Sequence, residues 1–406
     1  MVPLIPIAER VATLRPTAVN RVLQEARQLQ AEGKSLVSLM RGQPDTPTPL
    51  PIVEAAEKAL RDGLTGYPDN QGEPILRQAV AEKLWRDNDL TYDANREILI
   101  TDGATGGLFA ALAVLVQPGD EVLLPDPIYD AYASPIALWG GKPIPVRSNL
   151  RGGRFVVDRA ALESARTTKA RVLLLNSPWN PTGTVFNRAE LQEFIDFAIA
   201  HNLYVISDEI YETLIYDGCR HVSPAALSPE ARARAVLVNS LSKTYSMTGW
   251  RVGYCAAPEE IIRAMSLVWQ QFSRGPAMFV QHAAAAALKG DQACVGRMRV
   301  EYQERRDAVL RALNGLAGVV PLVPEGGLFV MVDMRGLGMP SDAVRKFLLR
   351  EAGVVVIHGA AYGEGGEGTL RVSFAGGGTT FEQGLQRLRA GLQQLADNAQ
   401  KKVLPQ

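Results

Sequence analysis

The chain has 406 residues, more than one hydrophobic core usually organises, so two domains are expected. Apolar residues make up 47% and charged residues 21%, the balance of a water-soluble globular protein. Lys+Arg and Asp+Glu both number 43, and a formal charge of zero offers no electrostatic footprint for nucleic acid or an anionic membrane as partner.

Cys219, Cys255 and Cys294 are far apart, and so are His201, His221, His282 and His358. Neither set has metal-ligand spacing, so no metal site is expected and the cysteines read as reduced thiols of a cytoplasmic protein. Glu9 and Arg10 interrupt the apolar start before a signal-peptide core could form. The longest apolar run, residues 108–116, is too short to cross a bilayer.

In chain order, residues 15–33 carry the spacing of an amphipathic helix ending at Gly33. Prolines 44, 47 and 49 then break regular structure. Helical patterns at 52–62 and 74–88 flank a polar loop that contains Tyr67. From residue 97 short β-rich runs alternate with helices. Strands are expected at 98–101, 121–124, 143–146, 172–176, 204–207, 236–239 and 252–256, and helices at 105–116, 129–139, 188–201 and 258–271. That alternation implies an α/β fold with a largely parallel sheet, helices on both faces and ligands at the strands' carboxyl ends. A long helix over 280–315 leads to a second unit with strands near 329–333, 354–358 and 369–374 and helices at 341–352 and 380–396. The expected division is 1–46 with the second unit, 47–283 as the large domain and 284–406 as the small one. The tail 400–406 reads as frayed.

Four segments at strand exits carry candidate chemistry. Asn239-Ser240-Leu-Ser-Lys243-Thr-Tyr-Ser-Met-Thr-Gly-Trp-Arg251 follows a buried strand. A lysine held there beside an arginine can condense with an aldehyde, whereas most lysines are simply solvated. Thr101-Asp-Gly103-Ala104-Thr105-Gly-Gly opens a helix, whose free N–H groups suit a phosphate; a plain glycine turn is the alternative. Asn176-Ser-Pro-Trp-Asn180-Pro-Thr-Gly183 offers an amide donor or only a turn. Asp208, in Ser207-Asp208-Glu209-Ile-Tyr211-Glu212, is a carboxylate awaiting a cation or a helix N-cap. Later, Arg371 interrupts an apolar strand, which suits a bidentate carboxylate contact or an internal salt bridge.

In this order and spacing, the segments resemble the class I/II aminotransferases, pyridoxal-phosphate enzymes of fold type I. The resemblance runs from Gly42-Gln-Pro-Asp45 to Arg371 and is most specific in the Lys243 and Asn180 segments. It implies a large domain with a mostly parallel seven-stranded sheet plus a smaller α+β domain. It also implies a transaminase that moves an amino group from an L-amino acid to a 2-oxo acid such as pyruvate or 2-oxoglutarate, with pyridoxal 5'-phosphate as cofactor. By the resemblance, Lys243 carries the cofactor as a Schiff base and shuttles the substrate's α-proton. Asp208 pairs with the ring nitrogen, and Tyr211 and Asn180 hydrogen-bond the ring oxygen. Tyr129 stacks on the ring. Gly103, Ala104, Thr105, Ser240 and Arg251 hold the phosphate, with Tyr67 reaching the neighbouring subunit's phosphate in a homodimer. Arg371 clamps the substrate carboxylate, helped by Asn180 and the backbone at Gly42.

Several positions depart from the pattern. Thr105 stands where many bacterial aspartate aminotransferases have a lysine, which argues against the usual recognition of aspartate. One of two cations, Arg41 or Arg274, could substitute, and a plain surface arginine is the alternative for each. His358 stands where a proline is common, and residues 363–368 read as a flexible glycine-rich loop with no dinucleotide frame. A fold-type-I β-lyase shares the same lysine, aspartate and arginine and is the alternative reading. A regulator fused to a DNA-binding module fits poorly, because no basic helix-turn-helix precedes the matching region.

Overall fold

The computed structural model describes residues 8–12, 14 and 16–403. Its centre is a seven-stranded sheet in the order Ile98–Thr101, Gly253–Ala256, Ala235–Ser240, Tyr204–Asp208, Ala170–Asn176, Glu121–Asp126, Lys142–Arg147. Gly253–Ala256 runs antiparallel to both its neighbours, and the other pairings are parallel. All seven expected strands are present, each within two residues of its expected limits.

The sheet is covered on both faces, which explains why its strands read as unbroken apolar runs. Successive side chains alternate between the faces. Val122, Leu124, Val172, Leu174 and Ile206 pack with the helix Gly103–Leu115, while Leu123, Leu173, Leu175 and Val205 pack with the helix Arg188–Ala200. That second helix starts at a capping box in which Asn187 accepts from the Glu190 amide and Glu190 accepts from the Asn187 amide.

A smaller antiparallel sheet has the order Val320–Pro321, Phe329–Asp333, Thr369–Ser373, Ile357–His358. The helices Ala293–Leu313 and Gly378–Val403 contribute Tyr302, Val309, Leu388 and Leu392 to the core beneath it. The fold class is thus α/β, with a mostly parallel seven-stranded sheet and a smaller α+β part.

Local expectations differ from the structure in several places. The helix expected over 280–315 is two helices, Met278–Lys289 and Ala293–Leu313. Gly290 leaves the first in an extended conformation, and Asp291 accepts from the Ala293 amide to start the second. The expected strand 354–358 is split: Val354–Val355 pairs in parallel with Val37–Ser38, and Ile357–His358 joins the smaller sheet. The helix expected over 129–139 is confined to Ala133–Leu138, with Tyr129 and Tyr132 in the preceding turn. The hairpin Asn149–Arg151 with Arg154–Val156 was not anticipated. Residues 363–368 are no loose loop: the Gly365 amide donates to Asp126 Oδ2 at 2.9 Å. The frayed tail begins as helix, Gly378–Val403, and residues 404–406 lie outside the described residues, as does Arg15 of the first expected helix.

Candidate active site

Because the strands ending at Thr101, Asp126, Asn176, Asp208 and Ser240 point the same way, their carboxyl ends share one edge of the sheet. Arg251 precedes the antiparallel strand Gly253–Ala256 and therefore arrives at the same edge. A cavity of about 220 Å³ opens there, lined among others by Thr105, Tyr129, Asn180, Asp208, Lys243 and Arg251. A larger cavity of about 480 Å³, between Arg147 and Glu364, lies apart from Lys243. The reactive side chains gather in the smaller one.

Lys243 lies in the short helix Leu241–Thr244, where its Nζ donates to the Gly42 carbonyl at 2.6 Å. Burial pushes its pKa down to about 8, Arg251 and Arg371 add to the shift, and Asp208 opposes it. About a tenth of the amine is therefore neutral at pH 7, far more than for an ordinary lysine.

Asp208 is the last residue of its strand and is buried. No helix follows it, so the capping alternative is not realised. Its Oδ2 accepts from the Tyr132 hydroxyl at 2.7 Å and its Oδ1 from the Ile210 amide at 3.3 Å. Burial raises its pKa to about 6, against the lowering effect of those two bonds. Tyr211 is buried beside it, and burial raises its phenol well above the usual value.

Arg371 sits within the Thr369–Ser373 strand with 3% exposure. Among the described residues it makes no ion pair, so the internal salt bridge is absent. It donates to Asn180 Oδ1 at 3.0 Å and to the Met40 carbonyl at 2.9 Å, while its buried Nε has no partner. The guanidinium lies 3.9 Å from the Phe329 ring centroid and 4.8 Å from that of Tyr362. Gly42 allows this assembly to close, because a Cβ there would stand 2.3 Å from the Phe329 ring.

At the other end of the cavity, Arg251 donates to the Thr248 and Asp102 carbonyls. Gly103 and Ala104 open the helix Gly103–Leu115, whose first amides receive no side-chain cap from Asp102. Gly103 has a φ of +74°, and a Cβ there would come within 2.9 Å of Arg251 Nη2. A guanidinium and an uncapped helix start side by side form a cradle for an oxyanion.

The remaining expected residues are less uniform. Tyr129 lines the cavity in an edge-to-face contact with Tyr132. Ser240 uses its hydroxyl inside the turn, donating to the Val252 carbonyl at 3.0 Å, and Ser242 lines the cavity in its place. Tyr67 is 90% exposed. Arg41 lines a separate cavity with Asp45 and Phe381, and Arg274 donates to Asn70 Oδ1. His358 lies 3.8 Å from Asp342, with its pKa lowered by burial, and is not among the cavity residues. Tyr132, Asn176 and Ser242 were missed. The three-residue spacing of Tyr129 and Tyr132 was the available signal for the first.

The donor set fits pyridoxal phosphate: an amine of lowered pKa, a buried carboxylate without a cation, an oxyanion cradle and an unpaired arginine. It defines a pyridoxal-phosphate-dependent enzyme of fold type I. Residues 34–388 match the family Aminotransferase class I and II, and the chain belongs to that family. It is 37% identical to the aspartate aminotransferase of Pyrococcus abyssi over 390 residues, covering 96% of this chain and 98% of that protein. It is 35% identical to aromatic-amino-acid aminotransferase 2 of Thermococcus litoralis, again covering 96% and 98%. The aspartate aminotransferase structure from Rhizobium meliloti aligns with a TM-score of 0.92 at 32% identity, covering 96% of this chain and 99% of that one. The chain is accordingly a transaminase that uses pyridoxal phosphate to move an amino group from an L-amino acid to a 2-oxo acid.

Proposed function

We propose that Lys243, Asp208, Tyr211, Asn180, Arg251 and Arg371 carry this transfer in the roles that follow. Pyridoxal phosphate, when bound, supplies an aldehyde for the amino group and an electron-accepting ring for the α-carbon. Lys243 Nζ would take the proton from the substrate Cα and deliver it to the cofactor's aldehyde carbon, a task suited to an amine with a pKa near 8. Asp208 would hold the ring nitrogen, which supplies the cation the carboxylate lacks. The Asn180 amide nitrogen and the Tyr211 hydroxyl would face the ring oxygen, since Asn180 Oδ1 is already engaged by Arg371. Arg251, with Gly103, Ala104, Thr105 and the Ser240–Ser242 turn, would hold the phosphate.

Arg371 would bind the substrate carboxylate through its fork and fix which α-carbon bond stands across the ring. The unpaired, buried Arg371 is the observation that carries this reading. A guanidinium so placed costs stability unless an anionic ligand completes it.

Substrate class follows in part from what is missing. Thr105 gives the cavity no lysine for a distal carboxylate, and Arg41 is not among the residues lining it. We assign side-chain selectivity to Arg274 acting from a partner subunit, within a homodimer whose Tyr67 reaches across to the phosphate. The exposure of Tyr67 and the Arg274–Asn70 bond in the same loop support this assignment. Acidic and aromatic donors, named for the relatives, head the substrate list. The division 1–46, 47–283 and 284–406 is proposed as the domain organisation. Three free cysteines suit a reducing cytoplasm, and no helix among the described residues is long and apolar enough to cross a membrane.

The test is a single-turnover absorbance scan of the holoenzyme against a panel of amino acids without an oxo acid. Conversion of the aldehyde-type chromophore to its amine form ranks the donors. A chromophore that stays in its aldehyde form while the amino acid yields ammonia and pyruvate would overturn the transfer in favour of β-elimination.

A further inference from the structure

Behind the cavity lies a second group of buried charges with no part in the roles given above. Glu212 directly follows Tyr211, and its side chain is 7% exposed, that of Lys83 5%. Glu212 Oε1 accepts from Lys83 Nζ and, at 2.7 Å, from Asn239 Nδ2; its Oε2 accepts from Asn88 Nδ2 at 2.8 Å. Lys83 Nζ also donates to Asn88 Oδ1 at 2.7 Å, and Asn239 Oδ1 accepts from the Ser240 amide at 2.7 Å. One carboxylate thus joins the helix Pro74–Asn88 to the turn bearing Tyr211 and to the end of the strand Ala235–Ser240, three residues before Lys243.

The tie is doubled by the hydroxyls of Thr213, next to Glu212, and Thr244, next to Lys243, which lie 3.0 Å apart. Glu209 anchors the other side of Tyr211. Its amide donates to the Val238 carbonyl at 2.9 Å, and its carboxylate engages the Ser207 and Ser223 hydroxyls and His221 Nε2. Donor atoms of Glu209, Glu212 and His221 lie within 4.8 Å of one another, and Lys83 supplies the cation such a cluster demands. Burial raises the Glu212 carboxyl, but Lys83, His221 and Asn88 outweigh it and hold its pKa below the usual range.

A buried ion pair is a weak source of stability, since apolar side chains of similar volume often serve as well. Its hydrogen bonds do fix direction, and they converge here from three elements: the helix Pro74–Asn88, the turn bearing Tyr211 and the strand Ala235–Ser240. We propose that Glu212 is a positioning residue: with Lys83 and Asn239, it sets Tyr211 and the strand end before Lys243 in the pose that cofactor and substrate require. The inference rests on the roles assigned above to Tyr211 and Lys243.

The experiment compares holoenzymes of K83M/E212L, K83M/E212Q and N239A with the wild type. The first removes both charges and the hydrogen bonds; the second restores a side chain able to bond Asn239 and Asn88. K83M/E212L is expected to melt near the wild-type temperature, yet to lose about 100-fold in kcat, the scale of a misplaced reacting group. It should also release cofactor faster and shift the pH midpoint of the bound chromophore, which a purely structural pair would not do. K83M/E212Q should regain kcat to within about tenfold of the wild type, for the same reason. A K83M/E212L protein with wild-type kcat and midpoint overturns the proposal. If that variant does not fold, N239A decides, because it leaves the ion pair in place: lowered kcat with a shifted midpoint supports positioning, and wild-type values refute it. K243A separates the two readings. If K243A still transfers amino groups, the role of Lys243 is wrong; if it is inactive while the Glu212 variants match the wild type, only this inference falls.

Discussion

Asp208 and Glu212 are buried carboxylates four residues apart, and their surroundings differ in kind. Glu212 has Lys83 against one oxygen and amide donors on both. Asp208 has one phenol and one distant backbone amide, and its pKa is raised to about 6. The two lysines divide in the same way. Lys83 is paired, whereas Lys243 makes no ion pair among the described residues, hydrogen-bonds the Gly42 carbonyl and is held down to about 8. Folding therefore completes one set of charges and leaves the other for a ligand to complete. Burial alone does not mark the reactive site; burial with partners missing does.

The contrast breaks most sharply at Lys243. Removing the amine in K243A is expected to slow single-turnover amino transfer by about 10⁴-fold, the upper range for a positioned acid–base group. A loss below tenfold would mean that the proton travels by another route.

Asp208 gives the next largest effect, read as stability of the cofactor-free protein. Between the ordinary value of 3.8 and about 6, native Asp208 keeps a proton that the unfolded chain releases. The native state binds more protons in that window, so its stability falls as pH rises through it and levels off above. The change is on the order of 3 kcal/mol. Urea unfolding at pH 4.5 and 7 should show about two-thirds of this change, ~2 kcal/mol, in the wild type and lose it in D208N. Bound cofactor, by giving the carboxylate a cation, should flatten it as well. An identical pH slope in wild type and D208N would show that Asp208 is satisfied without a ligand.

Arg371 comes third. R371K keeps the charge but loses the planar fork, and kcat/KM for the amino donor should fall about 30-fold, or ~2 kcal/mol. A change under threefold would place the carboxylate clamp elsewhere.

Much of this was legible in the sequence because buried parallel strands announce themselves as aliphatic runs, and the site sits where those runs stop. Lys243, Asp208, Asn180, Gly103 and Tyr129 are each within five residues of a strand end, so strand and motif located one another. What escaped depends on turn geometry. Tyr132 reaches Asp208 only because the expected helix begins late, at Ala133. Ser242 replaces Ser240 at the cavity because the Ser240 hydroxyl turns back to Val252. The pairing of Val37–Ser38 with Val354–Val355 spans two residues a side, too few for any periodicity to show. Nor could the sequence reveal that Lys83 and Glu212 meet, since 129 positions separate them.

The smallest predicted effect concerns the two arginines that the sequence treated as equals. Arg41 lines a separate cavity with Asp45 and Phe381, and Lys243 is not among that cavity's residues. Arg274 belongs to a segment fixed at the phosphate end: the Ser273 hydroxyl donates to Asp102, accepts from the Gly275 amide, and so holds the backbone on either side. Its side chain donates to Asn70 Oδ1, in the loop of the exposed Tyr67. R274A should therefore change the ratio of kcat/KM for glutamate over alanine by about fivefold, the most an exposed charge contact usually supplies. R41A should leave that ratio unchanged. Equal ratios in both variants would remove Arg274 from substrate selection; a shift in R41A alone would mean that residues 41–45 turn inward when substrate binds.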